Sequence, residues 1–347
     1  MKKILSMIMV VCLCLGLCSC GGNITDDGNV AQSRKVTDMS GFVSELPESI
    51  DSYAVAWAGL TDILTMFDGV EHMVAYPEKS ASFKWLFDVY PELNDKICLP
   101  NEGISVETVL ESGAQVVFLK KADDEGLVDK LRECGVVVID CEFDDYEGLK
   151  DVVKLVADVL GTEDAKTEAD EYCKYIDSSV AYVAELANKV PDNEKVSALV
   201  IKDTKDYSAY GVTRYTGRWV EMCGAKYSMI NEDAYANVKL TKEQLIEYNP
   251  DVLFFAMPGQ AEEFLKDETW ANMKSVIDGK VYNNPGGFNT WSNCGAESAM
   301  QFKWAFSKLY PNLIDYDINE ETKNYYKKFY DYEPTDDEIE KILSSSF

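Results

Sequence analysis

The chain has 347 residues, with 33 basic against 61 acidic side chains, a formal net charge of −28 and a single histidine. Such acidity makes nucleic acid and bare anionic membrane poor partners, and one histidine rules out a multi-histidine metal site and gives a Ser/His or Cys/His dyad little to work with. The length is sufficient for two lobes with separate cores.

Lys2 and Lys3 precede an apolar run from Ile4 to Leu17, too short to span a bilayer comfortably, which marks a secretory signal. It closes on Leu17-Cys18-Ser19-Cys20 before Gly21 and Gly22. That is similar to a bacterial lipobox, so residues 1–19 are read as a lipoprotein signal and Cys20 as the lipid-bearing residue. Gly, Asn, Asp, Ser and Gln dominate from Gly21 to Arg34, too polar for a core, so 20–35 is a flexible tether. Loss of the signal leaves 31 basic and 61 acidic residues, a net charge of −30 spread along the chain. Six cysteines remain after Cys20: Cys98, Cys134, Cys141, Cys173, Cys223 and Cys294. No CxxC pair occurs among them, so zinc or redox sites are not indicated, and the spacing leaves a Cys134–Cys141 disulfide open.

Lys35 to Pro47 reads as a short edge hairpin. Strand and helix then alternate through residues 36–160: strand Tyr53–Trp57, helix Thr61–Phe67, strand His72–Ala75, a loop to Ser82, helix Val106–Glu111, strand Gln115–Leu119, helix Glu125–Arg132, strand Val136–Asp140 and helix Tyr146–Leu160. Apolar strands separated by helices indicate a mostly parallel sheet covered on both faces.

Thr162 to Val190 is the longest amphipathic stretch, with Ala165, Ala169, Tyr172, Ile176, Val180, Val183 and Leu186 on one stripe and neither Gly nor Pro inside. Thr162 stands where a cap belongs, Glu163 and Asp164 suit the helix dipole, and Pro191 stops it. We read residues 161–190 as a connecting helix, because residues 191–347 repeat the α/β theme. Strand Val196–Ile201, helix Gly217–Met222, helix Lys242–Tyr248, strand Val252–Phe255 and strand Lys280–Tyr282 follow, then a Tyr- and Phe-rich helical tail over Ser298–Tyr310 and Asn319–Leu343. Glu107 to Leu119 and Glu243 to Phe255 share one helix–turn–strand pattern, an internal duplication consistent with two similar lobes.

Ligands of open α/β sheets bind beyond the carboxyl ends of the strands. The loops there carry Tyr76, Lys84, Trp85, Lys120 and Lys121 in the first half, and Lys202, Tyr207, Tyr210, Arg214, Tyr215, Arg218, Met257, Gln260, Asn289 and Trp291 in the second. Six basic residues there would give this acidic chain a locally positive mouth, with aromatics for stacking and Arg214 to fork onto an anionic oxygen. Any one of them taken singly is better read as solvated charge or core aromatic. His72 opens an apolar strand and is structural, and no GxGxxG or Walker pattern occurs around Gly286-Gly287.

Several ordered motifs resemble one family: Val36-Thr37-Asp38-Met39-Ser40-Gly41 through Leu46-Pro47, Val106-Glu107 before Val116–Leu119, Leu240-Thr241-Lys242-Glu243-Gln244 before Asn249-Pro250-Asp251-Val252, Phe302-Lys303-Trp304 with Leu309-Tyr310-Pro311, and Tyr325-Tyr326-Lys327-Lys328-Phe329-Tyr330. They are similar to the class III substrate-binding proteins of ABC importers, which carry ferric siderophores, haem and cobalamin. The resemblance implies an α/β fold of two Rossmann-like lobes joined by one long helix, a ligand cleft between them and closure by a small tilt. It also implies that one surface glutamate per lobe docks on arginines of the permease, and the matching positions are Glu107 and Glu243.

Members that bind bare zinc or manganese use several histidines, which this chain lacks. Haem would be held through Tyr76 or Tyr210, and a small oxyanion-binding branch, molybdate included, would be served by Arg214 with the loop Asn289–Asn293. The expectation is a lipid-anchored, monomeric, extracytoplasmic receptor without catalysis, cofactor or metal of its own. It would capture a metal chelate of the ferric siderophore type and deliver it to an ABC permease with its cytoplasmic ATPase; haem, cobalamin or an oxyanion is the alternative ligand. Tyr76, Lys84, Trp85, Lys120, Tyr210, Arg214, Tyr235 and Trp291 are the expected cleft residues, Tyr76 and Tyr235 also by family pattern. An anchored enzyme or adhesion module would need a catalytic constellation or exposed repeats, and the sequence offers neither.

Overall fold

The computed structural model describes residues 34–101, 103–120, 125–213, 215–229, 237–293 and 295–347. The expected signal, Cys20 and the expected tether up to Ser33 lie outside them, whereas Arg34 and Lys35, the last two residues assigned to the tether, are described, and Lys35 already opens the first strand. Strands β1 (Lys35–Thr37) and β2 (Val43–Glu45) pair antiparallel as the expected hairpin. Its turn is held by Asp38, whose carboxylate accepts the backbone N–H groups of Ser40 and Phe42, each at 3.0 Å.

The first sheet is all parallel and contains β3 (Tyr53–Val55), β4 (Met73–Pro77), β5 (Ile97–Leu99), β6 (Val116–Leu119) and β7 (Val137–Asp140), in the order β5-β4-β3-β6-β7. Strands β3 and β6 at its centre are buried throughout, as continuous apolar runs such as Val116-Val117-Phe118-Leu119 require. Helices α1 (Ala58–Asp68), α2 (Lys84–Val89), α3 (Val106–Ser112) and α4 (Glu125–Glu133) make the connections. Two pieces escaped the sequence reading: β5, a three-residue edge strand, and α2, a helix of under two turns, are both too short to show a period.

Helix α5 (Tyr146–Leu160) leads into α6 (Glu163–Ala187), the 25-residue connector. The Thr162 hydroxyl accepts the Ala165 N–H at 3.1 Å, so the cap lies where expected. The helix ends at Ala187, short of the expected Val190, because residues 188–190 already turn toward Pro191. It buries Ala165, Ala169, Tyr172, Ile176 and Val183.

The second sheet comprises β8 (Ser197–Asp203), β9 (Ser208–Ala209), β10 (Lys226–Tyr227), β11 (Val238–Lys239), β12 (Val252–Phe255) and β13 (Val281–Asn283). Its order is β11-β9-β8-β12-β13, with β10 also on β8, which reproduces the first sheet with β8 in the place of β3 and β12 in that of β6. β9 pairs antiparallel with both β8 and β11, so this sheet is mixed. Helices α7 (Tyr215–Met222), α8 (Lys242–Tyr248), α9 (Gln260–Phe264), α10 (Lys274–Ile277) and α11 (Gln301–Leu309) flank it. The tail is two helices, α12 (Ile318–Phe329) and α13 (Asp336–Ser344), where the sequence suggested one run from Asn319 to Leu343. Pro334 breaks it, and Thr335 starts the second helix with a capping box closed by Glu338.

Candidate functional site

A cavity of ≈ 390 Å³ lies at the carboxyl ends of β3 and β4, lined by Ala56, Trp57, Ala58, Gly59, Pro77, Lys79, Phe83 and Asn101 from the first lobe and by Asn289 and Asn293 from the second. Helix α1 begins at its wall. Trp57 is the N-cap and supplies no side-chain acceptor to the first turn, and Ala58 and Gly59 of that turn line the cavity at the positive end of the helix. The Lys120 ammonium sits 5.1 Å from the centre of the Trp57 ring. Asn101 accepts the Lys79 N–H at 2.8 Å and so ties the β5 loop to the 3₁₀ turn Glu78–Ser82. The site thus offers donors and cations, with an aromatic wall of Trp57 and Phe83.

The second-lobe wall is a loop fastened from beneath by one carboxylate. Glu297, on the 3₁₀ helix Ala296–Met300, accepts the N–H groups of Gly287 (3.3 Å), Phe288 (2.8 Å) and Asn289 (3.0 Å), and the Tyr326 hydroxyl at 2.5 Å. Gly287 is required here, because a Cβ would stand 2.2 Å from the Tyr326 oxygen and 2.8 Å from the Trp85 ring. Asp62 on α1 accepts the Glu297 N–H at 3.2 Å, so one hydrogen bond joins the helix at the cavity to the base of the loop. Both carboxyls are fully buried. Burial, then the facing Glu297, pushes Asp62 well above the usual carboxylate range, and burial raises Glu297 to about 7 against its hydrogen bonds.

Of the eight expected cleft residues, Lys120 adjoins the cavity through Trp57. Tyr76 is buried on β4, edge-on to Phe87 at 5.2 Å, and its neighbour Pro77 lines the cavity. Lys84 is exposed on the first turn of α2. Trp85 stacks between Phe288 (4.7 Å) and Phe347 (5.1 Å), with its indole N–H donating to Glu338 at 3.0 Å. Trp291, within the Asn289–Asn293 loop, is fully buried. Tyr210 is partly buried, with Lys202 at 5.9 Å over its ring. Arg214 and Tyr235, like Lys121, Cys20 and Cys294, lie outside the described residues. The sequence reading missed Trp57, Lys79 and Asn101; Trp57 ends an apolar run and reads as strand, although it follows the last strand residue and caps a helix.

Glu107 and Glu243 are exposed in the first turns of α3 and α8. Cys134 is exposed and Cys141 buried, both as free thiols. No group of three or more potential metal ligands occurs among the described residues, and no described helix is long and apolar enough to cross a membrane.

Residues 53–286 match the model of a family described as periplasmic binding protein. The molybdate-binding protein MolA of Haemophilus influenzae is 23% identical over 327 residues, covering 86% of this chain and 91% of that protein. Its molybdate-bound structure has a TM-score of 0.75 over 87% of this chain and 99% of its own. A periplasmic solute-binding protein of Veillonella parvula reaches 0.80 at 23% identity, over 91% and 98% of the two chains. CeuE of Helicobacter pylori, solved with Ni(II), gives 0.70 at 16% identity over 89% and 99%.

Proposed function

Because this chain belongs to the periplasmic binding protein family, in the class III group that serves ABC importers, we propose that it captures an anionic solute in the cavity beside Trp57 and delivers it to a membrane permease. The observation that carries this reading is the start of α1: a helix end with no side-chain cap, opening onto a cavity that Lys79 lines and Lys120 adjoins through Trp57. Backbone donors, the helix dipole and two ammonium groups favour negative charge there. The protein does no chemistry on its solute. Cys20 anchors it outside the cytoplasm, and Glu107 and Glu243 dock it to the permease.

For the solute we take an anionic iron chelate of the ferric siderophore type, which the aromatic wall of Trp57 and Phe83 suits. The volume of ≈ 390 Å³ restricts it to a compact one. An oxyanion such as molybdate is the second reading. It is favoured by the start of α1, where Ala58 and Gly59 line the cavity at the positive end of the helix, and by the similarity to a molybdate-binding relative. Titration of the intrinsic Trp fluorescence with ferric siderophores, haem, cobalamin and molybdate decides. Saturation by a ferric chelate is expected, with affinity about tenfold lower in Lys79→Ala, the scale of one charge-assisted contact. Saturation by molybdate alone would select the second reading, and saturation by none of the four would end the proposal.

A further inference from the structure

Helices α3 and α8 correspond position for position. Ser105 and Thr241 cap them, accepting the N–H of Thr108 at 3.1 Å and of Gln244 at 3.2 Å. Glu107 and Glu243 come next, then the buried Val109 and Leu245, and both helices end in the left-handed region at Gly113 and Asn249. Each enters the strand beside the central strand of its own sheet, β6 on β3 and β12 on β8. The repeat extends to a pair of residues that the cores do not use: Leu110 is 43% exposed and Ile246 is 45% exposed. Each lies three residues after its glutamate, on the same helical face.

One half-exposed aliphatic is ordinary on a protein surface. Two at equivalent places, each beside an exposed acid, form a repeated surface element. Leu265, Ile277 and Leu313 are exposed as well, but none of them lies on α3 or α8, so none belongs to the repeated pair. We propose that Leu110 and Ile246 are the apolar halves of two matched docking contacts, each a carboxylate beside an aliphatic side chain. They would fit a two-fold symmetric membrane permease that presents a basic side chain next to an apolar socket twice. This rests on the docking reading of Glu107 and Glu243 and adds the apolar contact to it. The division of labour is physical: exposed charges steer the encounter and set register, whereas aliphatics desolvated at the contact slow dissociation.

The test uses the permease–ATPase complex of the same cells in lipid nanodiscs, with this protein's affinity measured for three double variants: Leu110→Ser with Ile246→Ser, Glu107→Ala with Glu243→Ala, and Leu265→Ser with Ile277→Ser. Melting temperature is recorded for each. The first pair is expected to weaken the complex about tenfold, chiefly through faster dissociation, with unchanged melting. The second weakens it with greater loss at low salt, and the third leaves it unchanged. If the glutamate pair weakens the complex while the Leu110/Ile246 pair stays within about twofold of wild type, the apolar contact is overturned and the docking reading stands. If neither pair has an effect, both fall. Equal loss in the Leu265/Ile277 pair would also overturn the proposal, by showing that any exposed aliphatic serves.

Discussion

Asp62 and Glu297 show how one pair of side chains couples the cavity to the protein's response to pH. Asp62 faces Glu297 and Asn289, and Tyr172 of α6, Tyr325 and Tyr326 of α12 and Tyr330 just past its end lie within reach of its charge. Both carboxyls hold their protons more tightly folded than unfolded. Between the ordinary carboxylate pKa, near 4, and about 7, the folded state therefore binds more protons, and its stability falls as pH rises, by up to ~1.4 kcal/mol per unit for each group. Asp62→Asn keeps an oxygen for the Glu297 N–H while removing the buried charge. We expect it to raise stability at pH 8 by on the order of 1–3 kcal/mol and to have little effect at pH 5, read as melting temperature at both values. A loss of equal size at the two pH values would mean that Asp62 is not held against its charge.

At the scale of elements, helices were read well where their ends carry a chemical signal. Ser105, Asp145, Thr162 and Thr241 each accept an N–H from the first turn, which places a boundary that periodicity alone leaves loose; the same signal at Thr335 went unread, and α13 was merged with α12. Several elements of two to six residues were missed, since β9, β10, β11 and α2 are made by pairing and burial with distant segments rather than by local preference. The end of α6 shows what such packing demands. Gly224, at φ +76°, sits so close that a Cβ would lie 2.4 Å from that of Ala187. Gly224→Ala should cost about 2–4 kcal/mol through strain and overpacking, measured by denaturant unfolding. A cost below about 0.5 kcal/mol would show that α6 gives way there.

For the molecule as a whole, described residues fasten the lobes to each other outside α6 as well. Asp62 holds Glu297; the Tyr146 ring of the first lobe packs on Tyr215 and Phe302 of the second, at 4.2 and 4.7 Å; and Trp85 of the first lobe stacks on Phe288 and on Phe347 of the tail. Such bracing favours a small tilt over a wide hinge. We expect the radius of gyration in X-ray scattering to change by less than about 1 Å when solute saturates the protein. A chain lacking residues 336–347, which removes α13 and Phe347, should change more while keeping its helical circular dichroism. An identical change in both chains would show that the tail does not brace the lobes.

The sequence by itself determined the alternating α/β pattern, the long capped helix, the duplicated helix–strand unit and the family resemblance, because apolar period and capping chemistry are local properties. It also supplied the Asn289–Asn293 loop and Lys120. Only the tertiary structure decided which loop residues meet. Trp57, Lys79 and Asn101 come from three separate crossovers and converge because β3, β4 and β5 are neighbours in a parallel sheet. Trp85 and Trp291 read from sequence as ligand aromatics, yet they are buried, because an amphipathic ring on a loop serves a cavity or a core equally well until its neighbours are placed. Glu297 carries no local mark. It becomes the anchor of the cleft loop because three amides and the Tyr326 hydroxyl are folded onto it.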